Sequence, residues 1–598
     1  MRIFSTFALL LIFAAVSRAQ TISLVNTGAV GNARPPISED GQVVYQNNAP
    51  ATALYLGKPG TPIQMVVATN GPISGSPSYS FNGLIGRRIA NGTNQIAFYE
   101  SRTAENISGL FANFSGTLYR VAVISNQVPG LSAGVLFNTG DNVSGDVLPQ
   151  GFTMNSNGVF VFNAKLMGTG INTTNNHIVM KGHPTNLTVI ARSGSPAPGF
   201  PSGWVFQTDA IGGGINEHTF INGSGRAVFI AEVNHTNNID VSTNCIWFHD
   251  AAGLRPVVTF DINFPPASTP APDAGTSARF RQLHYVTCLL NDSGEIAFYA
   301  LAVTPSFTLT TGIWSGPTNN LHLVIAYGMA APGIGGGATI SDLDFNRFYL
   351  GNTGAVAVIA NLAIGGGVTS TNDTVLYIGS RTNNVQLIAR KGMQAPGCPA
   401  GVYFTSLNNS DVSNPVIFGN NRVAFGGKLA GAGVTGGNNL GLWATDTSGT
   451  LQLVFRTGET LLEVQPGVFR TINTFFYNGG TGQDGRTASI NRKGQLSMDV
   501  SINGVPDLSG NYVLDLNGVG SIGGTGTSSF GASQYFSGTG FQLNLNLETG
   551  KSYRLQRNTD LTTTNWVTLT NFTSTSSSLQ YLDSSAPYPL GVYRVVSP

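Results

Sequence analysis

Charge is the first thing this chain lacks. Only 10% of its 598 residues are Asp, Glu, Lys or Arg, against about 25% in ordinary soluble domains. The 30 basic and 29 acidic residues nearly cancel, leaving a formal charge of +1. A nucleic-acid binder needs a basic stripe to displace counterions from phosphates, so that class is excluded. Cysteine is also scarce. Cys245, Cys288 and Cys398 are the only three, at spacings that match no metal-ligand pattern. An odd number leaves at least one thiol unpaired, and no disulfide framework holds the fold. Cys245 and Cys288 fall in apolar strand-like runs and read as small buried side chains. After the first twenty residues, no apolar run approaches the length of a membrane-spanning helix.

The N-terminus does carry a shorter apolar run. Arg2 precedes an apolar stretch over residues 7–16, followed by Ser17-Arg18-Ala19. Small residues at the −3 and −1 positions mark cleavage before Gln20, so residues 1–19 read as a signal peptide and the chain as secreted or surface-bound.

What is abundant is glycine, 76 residues, beside 41% hydrophobic residues. That is too apolar for disorder and suits many short strands joined by tight turns. One phrase recurs along the chain. It runs NGTNQIAF from Asn91, NSNGVFVF from Asn155, NGSGRAVF from Asn222 and NDSGEIAF from Asn291. Looser copies begin at Ser38, Gly351, Phe418 and Asn491. The copies are spaced near 65 residues apart. Asn and Gly tolerate positive φ and close a turn, while the β-branched and aromatic residues that follow favour a strand. That strand is apolar on both faces, so both must be covered.

Each copy carries three further strands. A short aromatic one contains Trp247, Trp314, Tyr377 or Trp443, a slot that reads as packing between repeats. An alternating one ends at Gly194, Gly328, Gly392 or Gly458, with three copies running on into Ala-Pro-Gly turns at Ala197, Ala331 and Ala395. A fourth precedes the next turn phrase. Four strands per repeat fit a blade of a β-propeller. Eight copies predict eight blades, with seven as the runner-up because the end copies are the loosest, and an open solenoid as the alternative architecture. The last copy has no fourth strand after it, and the isolated segment at residues 21–25 is placed to supply it. This would close the ring and leave no open sheet edge. The array is expected over residues 20–518, a Gly/Ser/Thr-rich linker over 519–535, and a small β-sandwich of immunoglobulin or fibronectin type over 536–598.

The Asn-x-x-Gly-x-x-Ala-Phe phrase with its trailing Ala-Pro-Gly turn resembles an exported bacterial tandem-repeat family of the choice-of-anchor type, named for that phrase. The resemblance covers roughly residues 22–516, and the tail SYRLQRNTDLTTTNW is similar to a small β module that ends many secreted proteins. It implies a surface or secreted repeat protein and brings no catalytic residue with it.

Chemistry-bearing patterns are sparse. Gly431, Gly433 and Gly436 form a Gly-x-Gly-x-x-Gly run, but a strand follows it and no helix N-terminus is on offer for a pyrophosphate. The histidines, among them His218 and His249 with acidic neighbours, are scattered, and adjacent strand residues face opposite sides. Asp342 and Asp344 lie two apart on one strand and so on one face. Glu100, Glu232 and Asp499 sit late in the turn-phrase strand at differing offsets. His284, Asp344, Asn408 and Asn473 occupy roughly equivalent slots of the fourth strand. These residues are polar but unlike one another, which favours recognition over catalysis. The expectation is a non-catalytic binding or structural platform without catalytic residues, metal or cofactor, whose ligand-binding residues stay unassigned. Its partner class is an extracellular glycan or envelope component, with no membrane span in the mature chain. The alternative is an exported carbohydrate-active hydrolase or lyase with a pocket at the propeller centre.

Overall fold

The computed structural model describes residues 22–596 apart from 28–33, 81–87, 101–107, 139–150, 208–218, 261–267, 408–413, 503–507, 520–528, 559–565, 586–591 and some shorter stretches. Residues 1–19, read from the sequence as a signal peptide, lie outside the described residues. As far as Asp515 the described residues form eight successive antiparallel blade sheets, with a two-stranded hairpin, Pro72–Ile73 and Ser76–Ser80, between the first and the second. Blade 5 shows the plan. Its inner strand, Arg279–Leu290, pairs with Glu295–Val303, which pairs with Leu309–Pro317, which pairs with the outer strand His322–Ala326. Blade 6 repeats it with Ile340–Leu350, Val356–Leu362, Thr374–Gly379 and Gln386–Arg390. The chain order is thus inner strand, turn-phrase strand, Trp-slot strand and Gly-ended strand.

Blade 8 confirms closure. Val468–Phe476, Gln495–Ile502 and Gly510–Asp515 form its inner three strands, and the N-terminal strand Ile22–Thr27 pairs antiparallel with Gly510–Asp515 as the outermost. A short 3₁₀ turn, Leu516–Gly518, follows Gly510–Asp515. Val519 is buried with Leu514 and Leu516 in the core of blades 7 and 8, so the propeller extends into the span first read as linker. Residues 529–530 and 534–536, also within that span, are strands of the C-terminal sheet.

Both faces of each blade are covered, as the two-sided apolar pattern of the second strand requires. Apolar clusters link blade to blade around the ring. One joins Val25 and Val513 of blade 8 to Ile37, Val43 and Tyr45 of blade 1. The Trp slot is core: Trp247, Trp314, Tyr377 and Trp443 are buried. The Nε1 of Trp314 donates to the Pro272 carbonyl (2.9 Å), that of Trp443 to Pro396 (3.0 Å), and the Tyr377 hydroxyl to Pro332 (3.0 Å). Each of these three therefore fastens the proline turn that enters its own blade, whereas the Trp247 Nε1 donates to the Ala231 carbonyl (3.2 Å). The three cysteines are free thiols, with Cys245 and Cys288 fully buried as expected.

The C-terminal part folds as two small sheets. One contains Ser529–Phe530, Gln534–Phe536, Gly540–Asn546 and Ser578–Asp583, the other Ser552–Asn558, Val567–Thr573 and Val592–Val596. Leu543, Leu545, Tyr553 and Leu555 form its core, and Arg557 of one sheet pairs with Asp583 of the other at 2.6 Å.

Candidate functional site

The recurring Asn of the turn phrase is a latch. In Asn222 the side-chain Oδ1 accepts the Arg226 N–H (2.9 Å) and closes its own turn, while Nδ2 donates to the Asn291 carbonyl of the next blade (2.9 Å). Asn155 reaches Asn222 in the same way (3.0 Å), Asn291 reaches Gly351 (2.9 Å), and Asn491 reaches Ser38 across the closure (2.9 Å). Asn91 donates to Met154. Where the Asn is missing, other groups bridge. Gln42 and Asn94 exchange two hydrogen bonds between blades 1 and 2, and Asn421 donates to Thr353 between blades 7 and 6. Between blades 7 and 8, buried Arg422 donates to the carbonyls of Leu516 and Val519. A buried amide that satisfies both its own turn and its neighbour's carbonyl explains why Asn recurs.

The next position of the phrase does not recur. It is Glu39, Gly92, Ser156, Gly223, Asp292, Asn352, Gly419 and Arg492 in blades 1 to 8. Three of these are charged, and the ring brings them together. Arg492 Nε lies 2.7 Å from an Asp292 carboxylate oxygen and 3.7 Å from Glu39. The other Asp292 oxygen accepts the Gly223 N–H (2.8 Å). A Cβ added at Gly223 would meet the Arg492 guanidinium at 2.7 Å, so a larger residue there would require that side chain to shift. Burial raises the pKa of Glu39, opposed chiefly by Arg492, and does the same to Asp292, again opposed by Arg492. The three side chains keep 18–29% of their surface exposed.

The floor beneath them is a polar stretch of blade 8. The Gln483 side chain accepts the Asp292 N–H (3.4 Å), and Asp484 pairs with Arg486 at 2.7 Å. Arg486 in turn stacks over Phe220 of blade 4, 5.2 Å from the ring centre. The result is an axial mouth carrying two carboxylates of raised pKa around one guanidinium. Sequence reasoning read the repeated Asn and passed over the variable residue beside it; that break in the repeat was the available signal.

The residues singled out from the sequence fare differently. His284 and Asp344 are level in the structure, four residues after Phe280 and Ile340, whose partners Ala302 and Leu362 hold the same place in the repeat; Asn473 is not level with them, since it directly follows Ile472, the counterpart of Phe280 and Ile340, and lies in a one-residue bulge. The His284 and Asn408 side chains lie outside the described residues, as do Glu100 and His218. Asp344 lies 3.5 Å from Arg347, and Asp342 Oδ1 accepts the Leu343 N–H (2.9 Å). His249 accepts or shares a proton with Lys181 Nζ at 3.1 Å, and Asp250 pairs with Arg255 at 2.9 Å; the pair does not point at one ligand. Burial and then Lys181 lower the His249 pKa. Burial pushes Asp499 up to about 6 on the second strand of blade 8, opposite Asn511. The Gly431–Gly436 run joins two strands of blade 7, where a Cβ at Gly431 would strike the Gly401 carbonyl. Among the described residues no group of three or more His, Cys, Asp or Glu is arranged to hold a metal ion, and no helix is long and apolar enough to cross a membrane.

These features define an eight-bladed propeller latched by side-chain amides, with an asymmetric charged mouth on its axis. The chain belongs to a family of unknown function, DUF7453, whose model matches twice, over residues 15–261 and 265–503. The boundary falls after the outer strand of blade 4, Gly253–Phe260: the first match spans blades 1 to 4 with the closing strand Ile22–Thr27, and the second spans blades 5 to 7 and blade 8 as far as Gln495–Ile502. No curated protein matches the chain. Among solved structures, the exo-β-1,3-galactanase of Phanerochaete chrysosporium aligns over 79% of this chain and 93% of its own, with 12% identity and a TM-score of 0.20. The six-bladed lectin of Aleuria aurantia, described with its fucose recognition mode, aligns over 74% and 96%, also with 12% identity and a TM-score of 0.20. At such scores neither likeness bears on function.

Proposed function

We propose that the protein is a secreted or cell-surface repeat protein without catalytic activity, a binding platform that recognises an extracellular glycan or envelope component, and that its C-terminal β-sandwich aids display. The signal-like N-terminus and the resemblance to exported bacterial choice-of-anchor repeat proteins support the location. One observation carries the binding reading. The repeated polar residue holds the ring together, whereas the variable residue beside it gathers Glu39, Asp292 and Arg492 at the mouth of the axis. Carboxylates and a guanidinium side by side offer acceptors and donors to vicinal hydroxyls.

A glycan-array screen of the mature protein tests this, alongside the Arg492→Met variant. Binding by the native protein and its loss in the variant, at unchanged thermal midpoint, is the expected result. No binding to any carbohydrate leaves a purely structural role. The second reading, a hydrolase or lyase, is favoured by a specific feature: two carboxylates whose pKa values burial raises stand on either side of Arg492. It predicts turnover of a bound glycan, abolished in Glu39→Gln or Asp292→Asn.

A further inference from the structure

The inner strand of blade 8 departs from its sheet after Phe476, which pairs with Asp499, and rejoins it at Ile490, which bridges to Leu496. The intervening residues 477–489 cross the axis. They touch every other blade. The Ile37 N–H of blade 1 donates to the Ala488 carbonyl (3.1 Å), and Thr487 Oγ1 donates to the Arg88 carbonyl of blade 2 (2.6 Å). Met154 N–H of blade 3 donates to Gly485 (3.0 Å), and Ile221 N–H of blade 4 donates to Asp484 (3.2 Å). Asp292 N–H of blade 5 donates to the Gln483 side chain, and Gly479 lies against Tyr349 of blade 6. Ile417 N–H of blade 7 donates to Gly480 (3.0 Å).

The four isoleucine and methionine amides belong to buried residues. Without the crossing segment they would face the axis with no backbone partner, and each such orphan is costly. At Gly485 the segment has no room for a side chain. A Cβ at Gly485, where φ is +74°, would approach Ile221 within 2.8 Å and Thr153 within 3.1 Å. Blade 8 is also where the N-terminal strand closes the outer edge. The last blade therefore supplies both the outer seam and the filling of the axis.

We propose that residues 477–489 are the keystone of the ring, an internal axle that couples all eight blades and fixes the distances between their inner strands. An empty axis would let inner strands splay and the ring open at its seam. A backbone hydrogen-bonded to blades 1, 3, 4 and 7 together makes opening at one place break bonds at the others. It also stops a ligand from threading the axis, so recognition takes place at the mouth or on the rims. This inference does not depend on the binding reading.

Hydrogen exchange of the full mature chain, followed by mass spectrometry on peptides, tests it. In the native protein the crossing segment and the peptides holding Ile37, Met154, Ile221 and Ile417 exchange together, in one slow cooperative class. Gly485→Val accelerates exchange at all four peptides by about tenfold or more, including blades 1 and 7, the effect of one buried amide bond lost from a coupled unit. The proposal is overturned if the native crossing segment exchanges fast while the inner strands stay protected. It is equally overturned if Gly485→Val loosens only blades 3 and 4, the two it touches.

Discussion

Asn222 offers the sharpest test of the latch. Its side chain is fully buried, and it serves two masters. Oδ1 accepts from Arg226 N–H and from Ser224 Oγ (2.9 Å each), while Nδ2 donates to Asn291 O at 2.9 Å in the next blade. Asn222→Ala leaves a backbone donor and a buried carbonyl without their partner. At about 1–2 kcal/mol for each orphan, the loss is roughly 2–4 kcal/mol. Asn222→Asp separates the two functions. Its carboxylate still accepts from Arg226 N–H, so the turn persists, but an oxygen now confronts the Asn291 carbonyl and no donor remains. The aspartate variant is therefore expected to be at least as unstable as alanine near neutral pH, and to recover as the pH falls and its carboxyl regains a proton able to donate. The exposed Asn157, which reaches Gly223 O at 3.2 Å, serves as control, and its alanine variant should lose less than about 0.5 kcal/mol. Urea midpoints at pH 8 and pH 5 read all three. Equal midpoints for Asn222→Ala and Asn157→Ala, or an Asn222→Asp variant as stable as the native chain at pH 8, would refute the latch.

Asp499 carries a pH signature of its own. Its folded pKa, about 6, lies above the unfolded value near 4, so the stabilising contribution of its proton is complete below pH 4 and is lost as pH rises through 6. Asn cannot ionise, so Asp499→Asn should gain about 1 kcal/mol over the native chain at pH 8, once solvent screening is allowed for, and converge with it at pH 4; the same gain at both pH values would contradict the assignment. Trp443→Phe keeps the ring but removes the N–H donated to Pro396 O, and should lower stability by about 2 kcal/mol, read as a shift in the urea midpoint. Burial raises the pKa of all three thiols, and only Cys398 is partly exposed. A thiol reagent should therefore label Cys398 slowly in the native state and the other two only in denaturant; rapid native labelling of Cys245 would show the blade 3–4 core to be open.

The blade was legible in the sequence because its determinants are local and periodic. Gly158 and Gly225 take the positive φ their turns require (71° and 78°), and the apolar triplets that follow are buried on both faces. Closure was legible too, since one unit lacked an outer strand and one isolated strand stood at the other end of the chain. The boundary at residue 518 missed because Val519 looks like linker by composition, and only the buried Arg422, whose guanidinium takes its carbonyl, shows that it belongs to blade 8. Asn473 looked level with His284 and Asp344 because each follows an apolar residue, and no local signal marks the one-residue bulge that sets it apart. The crossing segment was hidden for a similar reason. Gly479-Gly480-Thr481-Gly482 reads as a loop, yet Gly479 lies against Tyr349 of blade 6 and Gly485, three residues on, against Ile221 and Thr153 of blades 4 and 3.

The repeat also explains why the function was harder to read than the fold. In a closed ring of like blades, a residue that recurs must satisfy the same junction at every blade, and the Asn latch does so with one side chain. Such a residue is tied to the scaffold, because changing it for a ligand would open a seam. A residue free to vary sits beside the latch, pointing where the blades converge, and there the symmetry of the ring turns eight separate choices into one cluster. Glu39, Asp292 and Arg492 come from blades 1, 5 and 8, separated by 453 residues between first and last, yet share one guanidinium. In this architecture the place to look for specificity is therefore the position of the repeat that fails to repeat and faces the axis. The latch variants and the mouth variants should separate accordingly: the former lower stability and leave any ligand affinity per folded molecule unchanged, and the latter do the reverse.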